Sequence, residues 1–130
     1  MTPALNSTTG NGSATAQPKG FLDITTAPTI LTRFEERATL SGTDISPEEY
    51  REIMLLDEFL THHVRPDGLR DVQCMLLWSE WVRSFQRKTH RFPRVVLETE
   101  FRDIVTDQLG VGITKDDHRG MVYPGLRFVP

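Results

Sequence analysis

Apolar positions recur every three or four residues over three stretches of the chain, which is the period of amphipathic helices. The first is opened by Ser46-Pro47-Glu48-Glu49. Serine at the N-cap, proline at the first helical position and glutamate at the third form a capping box. The helix it starts places Tyr50, Ile53, Leu56, Phe59, Leu60 and Val64 on one stripe, and Pro66-Asp67-Gly68 reads as the turn that ends it. A second helix is predicted from about Asp71 to Lys88, with Cys74, Met75, Trp78, Trp81, Val82 and Phe85 facing the core. Arg94-Val95-Val96 fits a short strand. A third helix follows over about Leu97 to Leu109, with Leu97, Phe101, Ile104, Val105 and Leu109 on one face and Gly110 as its C-terminal cap.

Beyond Gly110 the period changes. Val111 to Thr114 and Met121 to Phe128 read as the two strands of a hairpin around the polar turn Lys115 to Gly120. Pro124 marks an edge or a bulge in the return strand. The expected fold class is therefore α+β and mainly helical: a three-helix winged helix over 46–130, with the C-terminal hairpin as its wing. Residues 1–20 hold Leu5 as their one long aliphatic side chain beyond the first methionine, too little apolar surface to offset ordering, and read as a disordered tail. Residues 21–45 read as an arm or linker. Phe21, Leu22, Ile24, Ile30, Leu31 and Phe34 give it apolar content, with a short helix near Thr29–Thr39 and packing on the domain expected, the other reading being a partner-binding segment.

The order of elements is joined by a resemblance. Leu77-Trp78-Ser79-Glu80-Trp81, then Glu100-Phe101-Arg102-Asp103-Ile104, then Arg119-Gly120-Met121-Val122-Tyr123-Pro124-Gly125-Leu126-Arg127 together resemble the RFX-type winged-helix domain. A related domain closes many phage- and virus-type primase–helicases. The resemblance runs from about Tyr50 to Phe128. It implies duplex DNA binding in which the wing does much of the base reading, through the matching positions Lys115, His118, Arg119 and Arg127. The family's wing is dense in arginine, whereas Asp116-Asp117 stand here.

Charge changes the picture further. The chain carries a formal net charge of −3, so its overall field does not favour nucleic acid. The predicted third helix has Glu98, Glu100, Asp103 and Asp107 against Arg102, which phosphates would repel. No Asp or Glu occurs between Trp81 and Leu97, where Arg83, Arg87, Lys88, Arg91 and Arg94 cluster. The leading reading is nucleic-acid binding, to duplex DNA, with this basic segment and the wing carrying the contact. The other reading is a winged-helix protein–protein interaction module without DNA affinity. The two are separated by whether residues 83–94 and the wing share one continuous basic face.

Other chemistry is sparse. Asp116-Asp117-His118 lacks further ligands in sequence and reads as a polar turn. Adjacent His62 and His63 point apart on a helix, which is poor metal geometry. There is no phosphate-cradling glycine loop, nucleophile motif or metal motif, so no cofactor, no metal, no small-molecule substrate and no enzyme activity are expected. The lone Cys74 reads as a small buried hydrophobe in a reducing, intracellular compartment. No stretch is apolar enough to span a membrane or serve as a secretory signal.

Overall fold

The computed structural model describes residues 30–130. The expected tail over 1–20, and Phe21, Leu22 and Ile24 of the arm, lie outside these residues. Four helices and a small antiparallel sheet follow in the order α1 (Ile30–Ser41), α2 (Pro47–His63), β1 (Val64–Gln73), α3 (Cys74–Thr89), α4 (Glu98–Leu109), β2 (Thr114–Asp116) and β3 (Gly120–Phe128). The protein is α+β and mainly helical.

Helix α2 starts where the capping box requires. The Ser46 hydroxyl accepts from the Glu49 backbone N–H at 3.1 Å, and the Glu49 carboxylate accepts from the Ser46 N–H at 2.8 Å. Its buried face is Glu52, Ile53, Leu56, Phe59 and Leu60. Tyr50, expected on that face, is half exposed. Val64 has already left the helix and begins β1. Helix α1 is short, yet Ile30 and Phe34 are buried in the same core as Leu56, Trp81 and Phe101, so the core extends N-terminal of Ser46.

Where Pro66-Asp67-Gly68 reads as a turn, the chain instead continues as β1, whose partner is the last strand. Val64 pairs with Phe128, Pro66 with Leu126, Asp71 with Pro124 and Gln73 with Val122. The register breaks between Pro66 and Asp71. Residues 67–70 there stand opposite the single residue Gly125, whose φ of 79° suits glycine. Strand β2 pairs on the other edge of β3, Lys115 with Met121, giving the sheet order β1-β3-β2. Local sequence patterning misses β1 because its hydrogen-bond partner lies at the far end of the chain.

Arg94-Val95-Val96 is not a strand. Its three N–H groups point at one carboxylate, that of Glu52, at 2.8, 2.8 and 2.7 Å. Glu52 is 3 % exposed, and its charge is met by donors that a loop would otherwise leave unpaired. This contact fixes the α3–α4 connection on α2.

The tryptophans divide. Trp78 is half-buried, edge-on to Phe101 with ring centroids 5.5 Å apart. Trp81 is fully buried, and its Nε1 has no hydrogen-bond partner among the described residues. Cys74 is buried. Desolvation raises the thiol's pKa, partly offset by the neighbouring Tyr123 hydroxyl. No described helix is long and apolar enough to cross a membrane.

Candidate nucleic-acid interface

The basic segment lies at the C-terminal end of α3 and in the connection to α4. Much of its charge is met within the fold. Arg83 pairs with Glu80 at 3.1 Å. Lys88 pairs with Glu58 at 3.0 Å, and this contact holds the Glu58 carboxyl below its ordinary range. Arg91 and Arg94 share Glu48, at 3.7 and 3.9 Å. Arg87 has no ion-pair partner among the described residues. These pairs are exposed and individually weak, but they place Glu48, Glu58 and Glu80 inside the surface that sequence suggested was free of carboxylates. Those acids come from α2 and from the middle of α3, so the acid-free run in sequence is not acid-free in space.

Two arginines of the C-terminal hairpin are neutralised in the same way. The Arg119 guanidinium bridges both oxygens of Asp71 on β1 and Oδ2 of Asp116 on β2, the last at 3.0 Å. These hydrogen bonds lower the pKa of Asp71 and of Asp116, the latter helped by the backbone N–H groups of His118 and Arg119, and raise that of Arg119. Arg127 faces Asp67 at 3.7 Å. Asp116 Oδ1 also accepts from the backbone N–H of His118 at 2.8 Å, which makes the polar turn expected of Asp116-Asp117-His118. Lys115 has no ion-pair partner among the described residues.

The two basic groups are not brought together. Gln73 Nε2 donates to the Arg119 carbonyl at 3.2 Å, so the β2–β3 hairpin sits at the N-terminal end of α3. Arg87 lies at the other end of that helix. From Gln73 to Arg87, at 1.5 Å per residue, the separation along the axis is about 20 Å.

Arginines of α1 meet carboxylates of the acidic helix α4. Arg33 reaches Glu100 at 2.7 Å and Asp107 at 2.8 Å, and Arg37 reaches Glu100 at 2.7 Å. Burial alone would push the Glu100 carboxyl up, but the two guanidinium groups outweigh it and hold it low. Arg102, the lone base of α4, is engaged by Glu98 at 2.6 Å. Sequence reasoning left Arg33, Arg37, Asp67 and Asp71 out of any site. The available signal was the mismatch between an acidic helix and two arginines one helical turn apart in the arm.

Among the described residues no group of three or more His, Cys, Asp or Glu is placed to hold a metal ion. His63 Nδ1 instead meets the Val129 carbonyl at 2.8 Å. A cleft of about 330 Å³ between α1, α2 and residue 95 has Phe34, Ile45 and Ile53 in its lining. Its Glu49 is committed to the capping box and its Arg37 to Glu100. No protein-family model matches the chain, and no curated protein or solved structure matches it.

Proposed function

We propose that this chain is a winged-helix module that acts by docking onto another protein, neither an enzyme nor a duplex-DNA grip. The winged-helix reading is supported by the order α2-β1-α3-α4-β2-β3 and the sheet order β1-β3-β2, with residues 114–128 as the wing. The observation that carries the functional reading is Arg119 held between Asp71 and Asp116. The charge of Arg119 is already offset by two carboxylates that engage three of its five N–H donors, which reduces the gain from phosphate contact that drives such binding. The separation of Arg87 from the wing, and the ion pairs of Arg33 and Arg37 with α4, argue the same way.

Duplex DNA is the second reading, favoured by Arg87 and Lys115, which have no ion-pair partner among the described residues. The two readings separate in an anisotropy titration of labelled random duplex and single-stranded DNA at low and high salt. The docking reading expects no saturable binding even at low salt. Saturable binding that weakens steeply with salt would replace it with the DNA reading.

A further inference from the structure

The excursion of β1 is tied at both ends by ion pairs. At one end Asp67 faces Arg127 at 3.7 Å and accepts from the Leu69 backbone N–H at 3.0 Å. At the other, Asp71 is gripped by Arg119, itself braced by Asp116. Between these anchors Leu69 is 96 % exposed. Arg70 is exposed too, with no ion-pair partner among the described residues. Pro66 and Pro124, the residues flanking the excursion on the two strands, are likewise exposed. A connection that merely reverses or pads a strand gains nothing from a solvated leucine, and ordering four residues around it costs conformational entropy. Single exposed aliphatics are common. What sets this one apart is its place at the tip of a braced protrusion, with two prolines beside it and an uncompensated guanidinium next to it.

We propose that Leu69 and Arg70 form a docking knob that inserts into an apolar pocket, edged by carboxylates, on a partner protein. The partner's chemistry follows from the knob. Leu69 needs a desolvated apolar socket, as buried anchors at interfaces do, and Arg70 needs an acid at its rim because Asp67 and Asp71 are already engaged by Arg127 and Arg119. The proposal rests on the docking reading above and gives that reading a surface. It also gives the wing arginines a role: they fix the two ends of the knob.

The test places the photocrosslinker p-benzoyl-phenylalanine at position 69 of the full chain, and in separate variants at exposed Leu40, Tyr50 and Met121. Each is irradiated in extract of the source organism and the adducts are sequenced. The expected result is a discrete protein adduct at position 69, absent at position 40, joined to an apolar peptide containing Asp or Glu. Its yield falls at least about tenfold with excess wild-type competitor, and does not fall with Leu69→Asp or Arg70→Glu. Leu69→Asp must melt as the wild type does, since Leu69 is solvated. The knob is overturned if Leu69→Asp competes as well as wild type, or if positions 69 and 40 give the same adducts. Capture of a protein from positions 50 or 121 but not 69 overturns the knob and leaves the docking reading standing. Capture from none overturns both, and a nucleic-acid adduct replaces both with the DNA reading.

Discussion

The carboxylate of Glu52 on α2 accepts the backbone N–H of Val96 at 2.7 Å, in a loop that is separate from α2 in sequence. With the N–H groups of Arg94 and Val95 on the same carboxylate, one buried anion sets the path of the α3–α4 connection. Removing it leaves three donors without an acceptor. Glu52→Ala is expected to cost about 3 kcal/mol in denaturant unfolding, and Glu52→Gln, which keeps one acceptor oxygen, clearly less. Equal and small losses for the two variants would show that the loop finds its own path.

Helix α1 belongs to the core through Phe34 and Ile30. Phe34→Ala should lower stability by about 3 kcal/mol, in the range for deleting a buried aromatic ring. The measurement is the shift in urea midpoint at constant slope. A loss below about 1 kcal/mol would mean that α1 is a detachable arm.

The Arg119 clamp carries a pH signature. Asp71 and Asp116 have folded pKa values below the unfolded value of 3.8, because Arg119 hydrogen-bonds their charged forms. Their contribution is full above that value and is lost as pH falls through the depressed folded values. Between about pH 5 and about pH 2 the melting temperature of the wild type should therefore fall further than that of Arg119→Ala. Parallel curves would show that the clamp adds nothing to stability.

Cys74 is buried, and desolvation raises its thiol pKa. It should resist a disulfide exchange reagent in the native protein and react fully on unfolding, with a rate that tracks opening. Rapid reaction in the folded state would contradict its placement.

Sequence carried the helices well, because a capping box and a three-to-four period are local signals. Ser46 and Glu49 cap α2 as expected, and Gly110 ends α4 in the left-handed region. Strand β1 was hidden. Its buried anchors Val64 and Val72 are separated by an excursion rich in turn residues, and its partner β3 comes last in the chain. Val95 and Val96 suggest a strand by propensity, but their N–H groups belong to Glu52. That glutamate was itself legible: it lies four and seven residues before Leu56 and Phe59 on one helical face. The candidate interface was read least well, since ion pairing is non-local. Nothing near Arg119 in sequence shows that Asp71 will meet it.

The central claim is that the Arg119 guanidinium is engaged within the fold and does not meet phosphate. It is tested most directly by following the Arg119 side-chain N–H resonances by NMR while random duplex DNA is added at low salt. The docking account predicts resonances that neither shift nor broaden, with Arg119 still paired to Asp71. A saturable shift of those resonances, with loss of that pair, would contradict it.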